Sequence, residues 1–196
     1  MSRFDITATN AALRRLVEAT TNPRHRYLLR ACDRLRLLEI AGRWEDIFAS
    51  SMTVAHPVYH FHGLGQVTVL DGRDAVQTAY KEWAADGQSI VYTEDERLAV
   101  GDHLVCSTAT LHRQTPGEAL VDLGIYADPD ATYLVNTVEH LTWTFDDEGR
   151  LMHEDAWEID ESTREFLKID PSEVLTSETA ALLLDPFIAP LPTRPF

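Results

Sequence analysis

The feature that most constrains the fold is a change of hydrophobic period along the chain, from helical spacing in the first half to strand-like runs in the second. Residues 24–41 carry apolar side chains at the spacing of an amphipathic helix. Asn22-Pro23 before this segment and Gly42 after it are typical start and stop signals. The apolar stripe consists of Tyr27, Leu28, Ala31, Leu35, Leu38 and Ile40. The sequence therefore predicts a long helix near the start of the chain.

Two shorter helices and several strands are predicted after this long helix. The predicted helices are 43–50 and 74–85, and the predicted strands are 56–63, 89–100, 103–113, 132–146 and 150–159. Residues 63–72 are interpreted as a loop, and residues 116–131 as a long acidic connection. Gly149 can adopt a positive φ in the turn between the last two strands, because it has no Cβ.

The length and composition are those of one globular domain. The chain has 196 residues, of which 44% are hydrophobic, and this is enough for a hydrophobic core. We expect residues 23–165 to form the domain and residues 1–22 to be an N-terminal extension. Residues 166–196 are rich in proline, and we expect this tail to pack on its own domain or on a neighbouring subunit.

The charge of the chain excludes several classes of partner. Its formal net charge of −15 repels phosphate backbones and anionic lipid head groups, so neither nucleic acid nor a membrane surface is expected as a partner. A small organic substrate fits this composition better. The chain has no apolar run near the roughly 18 residues of a membrane span, and its start lacks a signal sequence. We therefore expect a cytoplasmic protein.

Common cofactor and nucleophile motifs are absent from the sequence. It contains no Gly-x-Gly-x-x-Gly, no Walker motif, no Gly-x-Ser-x-Gly and no His-Glu-x-x-His. Cys32 and Cys106 lack Cys-x-x-Cys spacing and are interpreted as reduced packing residues. Any chemistry must therefore come from a site that these motifs do not mark.

Two short segments and their order carry a family resemblance. Gly72-Arg73-Asp74-Ala75 precedes a helix with aromatic residues, and residues 147–151 form a turn into a final strand that contains Trp157. With the long first helix and a short strand containing His56-Pro57, residues 24–160 resemble SnoaL-like domains of the NTF2-like superfamily. The resemblance implies an α+β, cystatin-like cone in which a curved, mostly antiparallel sheet wraps around about three N-terminal helices. A mostly apolar pocket would lie inside the cone.

The resemblance leaves the reaction open. Members of the superfamily include ketosteroid isomerases, scytalone-type dehydratases, polyketide cyclases and binding proteins without catalytic activity. They are usually dimers or larger oligomers and usually have no metal or organic cofactor. We therefore expect a homo-oligomer that uses no cofactor.

The family pattern also suggests a general base. In ketosteroid-isomerase-like members the base directly precedes a proline, and His56 holds that position here. A histidine can accept a proton at neutral pH. The alternative is that His56 lies at the rim of the sheet. The acid that scytalone-type members carry late in the first helix is missing, and only Glu39, one position away, could replace it.

The stretch HPVYHFHG raises the question of a metal site. In a strand, His56, His60 and His62 share one face, with Tyr59 and Phe61 on the other. The three histidine attachment points would span about 20 Å at roughly 3.3 Å per residue, which is too far for one ion. We therefore expect no metal, and we expect His56 or His60 to serve as a polar group of the pocket.

The last two predicted strands supply candidate acids. Glu139 lies on the apolar face of its strand, where burial would favour the protonated form, although a structural ion pair is the alternative. In the final strand, alternation favours the face of Asp155 as buried, whereas the family register favours Glu154. This choice stays open at the sequence level. Aromatic residues on predicted inner faces are candidate pocket walls: Tyr27, Tyr59, Phe61, Tyr80, Trp83 and Trp143.

The sequence therefore favours a cofactor-independent acid/base lyase, either a dehydratase or a retro-aldol-type enzyme. Its substrate would be a small apolar molecule, aromatic or polycyclic. His56 or His60 would remove a proton, and protonated Glu139 would assist the leaving group. An isomerase or cyclase that uses the same base is the first alternative. A small-ligand-binding or assembly module without catalysis is the second.

Overall fold

A computed structural model describes residues 5–194 and 196 of the chain. Its α-helices are α1 (Ala11–Ala19), α2 (Pro23–Ile40), α3 (Trp44–Ile47), α4 (Arg73–Asp86), α5 (Gly117–Asp122) and α6 (Ser177–Leu184). Its strands are β1 (Thr53–Gly63), β2 (Gln66–Asp71), β3 (Val91–Val100), β4 (Leu104–Pro116), β5 (Thr132–Phe145), β6 (Leu151–Glu158) and β7 (Glu165–Lys168). Short 3₁₀ turns lie at Ile6–Ala8, Glu161–Thr163, Pro171–Glu173 and Asp185–Phe187. Within the described residues, every helix is too short or too polar to cross a membrane.

The strands form one curved, mostly antiparallel sheet in the order β2-β1-β6-β5-β4-β3, and β7 pairs with β5 beside this path. Only β1 and β6 pair in parallel among the described strands. The helices α2 and α4 lie against the inner face of the sheet, where Leu28, Leu38 and Val76 are fully buried. The predicted α+β architecture is therefore confirmed.

The segment predicted as a loop between β1 and the third helix is instead a β-hairpin. Leu64 and Gly65 both have positive φ, 52° and 73°, as a two-residue hairpin turn requires. The strand β2 that follows is at the edge of the sheet, and its Val67 and Val69 are exposed. The loop interpretation was wrong because the flanking glycines, which are typical of turns, were given more weight than the β-branched residues between them, which favour a strand. The connection predicted over 116–131 likewise contains a short helix, α5.

The C-terminal segment packs against its own domain. Ala180 and Leu184 of α6 form a second buried cluster with apolar residues of the first 3₁₀ turn and α2, and with Ile90 just before β3. The side-chain amide of Gln114 exchanges two hydrogen bonds with the backbone of Leu175, at 2.8 and 2.9 Å. The final residue, Phe196, packs edge-on against Tyr27 with 5.4 Å between ring centroids. These contacts anchor the proline-rich segment on the core.

Candidate active site

A partly enclosed cavity of about 300 Å³ lies between the inner face of the sheet and the helices α2 and α4. Its apolar and aromatic lining comes from Ile40, Phe61, Trp83, Val91, Leu111, Leu123, Leu141, Trp143 and Ala156. Its charged lining is Arg36, Glu39, Arg113, Glu139 and Glu154. A wider groove of about 640 Å³ between α1 and β3 is more open to solvent and contains none of the sequence-predicted site residues. The cavity between the sheet and the helices α2 and α4 is therefore the candidate site.

Two carboxyl groups face this cavity from opposite elements. Glu39 lies in the last turn of α2, and Glu154 lies in the middle of β6. The register of the sheet places Glu154 between Tyr59 on β1 and Trp143 on β5. Tyr80 of α4 donates a hydrogen bond to Glu154 Oε2 at 3.3 Å. Glu154 is thus fixed from three sides, and its residue is only 5% exposed.

Burial perturbs both carboxyl groups. Loss of hydration, together with the charge of Glu39, raises the pKa of Glu154 from 4.5 to about 8. Loss of hydration raises the pKa of Glu39 to about 7, although the nearby Arg113 and Arg36 oppose this shift. Glu39 keeps partial exposure because it faces the cavity, whereas Glu154 is almost fully buried. Near neutral pH, Glu39 therefore ionises before Glu154.

Arg36 is held by a buried ion pair behind the cavity. Its Nη2 donates to Glu96 Oε1 at 2.6 Å, and both side chains are less than a tenth exposed. Ser107 donates a second hydrogen bond, also of 2.6 Å, to the same oxygen. The guanidinium of Arg36 lies over the ring of Trp143, 4.8 Å from its centroid. These contacts fix the cavity wall beside Glu154.

The remaining charged residues of the cavity are Glu139 and Arg113. Thr137 Oγ1 donates to Glu139 Oε1 at 2.7 Å, so the side chain of Glu139 is held along its own strand. Its negative charge raises the pKa of Glu39, whereas Arg113 lowers it. Three carboxyl groups and two guanidinium groups therefore face one small space.

The structure brings several sequence-predicted residues to this cavity. The candidate acids Glu139 and Glu154 and the aromatic residues Phe61, Trp83 and Trp143 all line it. The sequence left open which face of β6 is the buried one. In the structure Glu154 points inward and lines the cavity.

The other candidate aromatic residues, Tyr27, Tyr59 and Tyr80, are buried in the core beside the cavity and do not line it. Of these three, Tyr80 contacts a charged group of the site, Glu154.

The expectation that His56 or His60 faces the cavity is wrong. On β1 the inward residues are Pro57, Tyr59 and Phe61, so His56 and His60, which have the opposite parity, lie on the outer face. His56 Nε2 pairs with Asp71 Oδ1 at 2.8 Å, and both side chains are 71% exposed.

His60 and Asp155 pair with each other on the same outer face of the sheet, with 2.7 Å between His60 Nδ1 and Asp155 Oδ1. The candidate Asp155 is therefore also outside the cavity. His62, near the end of β1, is the histidine of this stretch that contributes to the cavity lining, and its ring stacks on Trp157. Among the described residues, no group of three or more His, Cys, Asp or Glu side chains is arranged to hold a metal ion.

The sequence reasoning gave too little weight to Glu39. The signal was its position on the long helix, four residues after Leu35 and eleven after Leu28, which places its carboxyl on the apolar stripe. A charged residue on the buried face of a helix is unusual and indicates a function or an ion pair. Here its neighbours are a cavity and a second buried acid.

Comparison with known proteins supports the fold without identifying a close relative. No protein-family model matches the chain. No curated protein matches it either.

Solved structures with the same fold do match. A SnoaL-like polyketide cyclase candidate from Shewanella putrefaciens is 11% identical, with a TM-score of 0.54 over 80% of this chain and 90% of that one. One from Jannaschia sp. is 17% identical, with a TM-score of 0.51 over 70% and 89%. A Mycobacterium tuberculosis protein solved in complex with estradiol-17β-hemisuccinate is 14% identical, with a TM-score of 0.50 over 71% and 98%. The chain therefore has the NTF2-like fold of SnoaL-like proteins, as the sequence resemblance implied.

Proposed function

We propose that this protein is a cofactor-independent acid/base enzyme in which Glu39 is the general base and Glu154 the general acid. The observation that carries the proposal is that two carboxyl groups with pKa values raised to about 7 and about 8 line one partly enclosed cavity. Acids and bases of this strength exchange protons most effectively near neutral pH. Structural carboxylates usually have partners that keep the pKa low, as Arg164 does for Glu158.

The two groups are suited to opposite tasks. Glu39 faces the cavity near Arg113 and ionises first, so it can accept a proton from a carbon atom of the substrate. Glu154 lies deeper and keeps its proton until about pH 8, so it can donate to an oxygen atom. Since Glu154 is fixed between strands and bonded by Tyr80, its proton is presented in a constant direction.

The reaction that we favour is elimination from a small aromatic or otherwise apolar hydroxy compound. Glu39 would take a proton from the carbon beside a carbonyl group, and a carbon–carbon double bond would form. The neighbouring carbon–oxygen bond would break, and the hydroxyl group would leave as water with the proton from Glu154. The aromatic walls and the cavity volume of about 300 Å³ suit a substrate with one or two rings.

An isomerase or cyclase is the second candidate, because it begins with the same proton abstraction. The polyketide cyclase candidates of the same fold favour this alternative. The other alternative is a ligand-binding module, which would use the cavity but would transfer no proton. The expected homo-oligomer, the cytoplasmic location and the domain boundaries stay predictions.

The proposal is tested by measuring hydrogen exchange and turnover of simple ketones that carry a phenyl ring. With benzylacetone in D₂O, we expect the enzyme to exchange the hydrogens beside the carbonyl for deuterium. Proton NMR measures this exchange as the loss of their signals. With the aldol adduct of benzaldehyde and acetone, a lyase should produce benzylideneacetone and water, or benzaldehyde and acetone by retro-aldol cleavage. Exchange without elimination would favour the isomerase or cyclase. Binding of the ketones without exchange would contradict acid/base catalysis.

A further inference from the structure

Arg113 of β4 lines the candidate active-site cavity and is half-buried there. Within residues 5–194 and 196, its guanidinium takes part in no ion pair. Its Nη1 donates one long hydrogen bond, of 3.5 Å, to the backbone oxygen of Gln88. A guanidinium has five N–H donors, so most of those of Arg113 are available to a ligand in the cavity.

The neighbouring charged groups have partners of their own. The second guanidinium of the lining, that of Arg36, is paired with Glu96 at 2.6 Å. Glu139, which also lines the cavity, accepts a hydrogen bond from Thr137. The charge of Arg113 is therefore not neutralised by a direct contact with either wall.

The two proposed catalytic acids also leave this charge largely unused. The raised pKa values of Glu39 and Glu154, about 7 and about 8, keep both acids mostly neutral in weakly acidic solution. Arg113 lowers the pKa of Glu39 through its charge, without an ion pair between the two side chains. A positive group thus faces the cavity beside a base that carries little negative charge.

One guanidinium of this kind is suited to one carboxylate. Its planar fork of N–H donors matches the two oxygens of a carboxylate, and such charge-assisted pairs are stronger than neutral hydrogen bonds. The net charge of −15 gives the chain no long-range attraction for anions. An anion in the cavity would therefore depend on the local contact with Arg113.

The place of Arg113 in the sheet also fits an elongated ligand. It is opposite Val135 on β5, whereas Glu154 is opposite Trp143, farther along the same strand. Glu39 interacts electrostatically with Arg113 and with Glu154. A ligand with one end at Arg113 can therefore extend past Glu39 toward the buried acid.

We propose that Arg113 binds a carboxylate group of the substrate, so that the site selects oxo acids that carry an aromatic ring. This inference rests on the proposed function for the place of the reacting carbonyl group. Arg113 holds the carboxylate, the aromatic walls hold the ring, and the carbonyl group lies between them beside Glu39. The substrate class is thereby narrowed to monoanions with one apolar end.

The test compares 4-oxo-4-phenylbutanoic acid with its primary amide, which has nearly the same shape and no charge. At about pH 6 the carboxyl group of the ligand is ionised. We expect the acid to bind at least about tenfold more tightly than the amide in calorimetric titrations, because only the carboxylate forms a charge-assisted pair with the guanidinium.

Two variants assign the preference to Arg113. In Arg113→Gln the positive charge is lost, so the preference for the acid should fall to about twofold or less. Arg97→Gln removes the same charge from an exposed residue of β3 that does not line this cavity, and it should keep the preference. An equal loss of preference in both variants would show a general charge effect and overturn the role of Arg113.

A measurement on the wild type decides the question if Arg113→Gln fails to fold. The bound acid should raise the pKa of Glu39, because it neutralises the cation that lowers this pKa and adds negative charge nearby. The amide should leave the pKa of Glu39 unchanged. NMR titration of the Glu39 carboxyl carbon at saturating ligand measures both effects, and an unmoved midpoint with bound acid would contradict the proposal.

The failures of the two proposals are distinguishable, because both compounds carry exchangeable hydrogens beside the ketone group. Equal binding of acid and amide, with exchange of these hydrogens in D₂O, would overturn the role of Arg113 and leave the Glu39 and Glu154 chemistry intact. Preferential binding of the acid that depends on Arg113, without exchange, would support the role of Arg113 and overturn the catalytic proposal. Absence of binding by both compounds would overturn the inference.

Discussion

Replacement of Glu154 by Gln is expected to lower kcat/KM for hydrogen exchange or elimination by at least about a hundredfold. The amide is nearly isosteric and can still accept the hydrogen bond from Tyr80, but it cannot donate an acidic proton. Since the change also removes a buried ionisable group, the variant should remain folded. Exchange rates in D₂O and a thermal unfolding curve measured on the same preparation check both expectations.

The matched control is Asp155→Asn, on the next residue of the same strand. Asp155 lies on the outer face, where it pairs with His60, so its amide variant should stay within about twofold of the wild type. The pair of variants therefore tests which face of β6 is functional. Loss of activity in Asp155→Asn with retention in Glu154→Gln would place the chemistry on the outer face and contradict the proposed site.

The protein is expected to lose stability as the pH rises from about 5 to about 8. Both Glu39 and Glu154 have raised pKa values in the folded state, so the folded protein binds more protons than the unfolded chain in this interval. The free energy of unfolding must then fall with increasing pH. A tenfold difference in acidity between the folded and unfolded states corresponds to about 1.4 kcal/mol, so a total loss of roughly 3 kcal/mol or more is expected. Urea unfolding at several pH values measures this decrease in the free energy of unfolding.

The double variant Glu39→Gln, Glu154→Gln provides the comparison for this pH effect. Without the two buried acids, the decrease between pH 5 and pH 8 should largely disappear. Carboxyl groups with lowered pKa values, such as Asp146 and Glu158, act in the opposite sense and mainly below pH 4.5. A wild-type stability that is constant or increases up to pH 8 would show that the two acids are not held in their neutral forms.

The helices and the central strands could be predicted because their hydrophobic periods are strong. The long helix was predicted over 24–41 and is observed at Pro23–Ile40, where the side chain of Asn22 caps the first turn. Edge elements were harder to predict. The strand β2 is exposed along most of its length, so it lacks the alternation that burial imposes on β5. The short α5 has too few residues for a helical period.

The site could be predicted only in part, since a side chain's direction depends on which face of the sheet is covered. Parity correctly placed His56 and His60 on one face of β1, but it could not show that this face is the outer one. On β6, Leu151 is buried while the inward residues after it are Glu154 and Ala156, so simple alternation from Leu151 fails. The irregular register between β5 and β6, after Thr144, accounts for this change of parity.

Glu39 shows a different limit of the sequence. Its place on the apolar stripe of α2 was visible, but its significance depends on Glu154, more than a hundred residues later in the chain. Only the folded sheet brings β6 close enough for the charge of Glu39 to raise the pKa of Glu154. Long-range electrostatic coupling of this kind leaves no local pattern in a sequence.

The most direct test of the central claim is an NMR titration of the side-chain carboxyl carbons of Glu39 and Glu154, assigned with the two Gln variants. The structure predicts midpoints of about 7 for Glu39 and about 8 for Glu154. In Glu39→Gln the midpoint of Glu154 should fall, because the negative charge that opposes its ionisation has been removed. If both carboxyl groups titrate near 4.5 and neither responds to the other's replacement, they are ordinary solvated acids and the proposed acid/base pair does not exist.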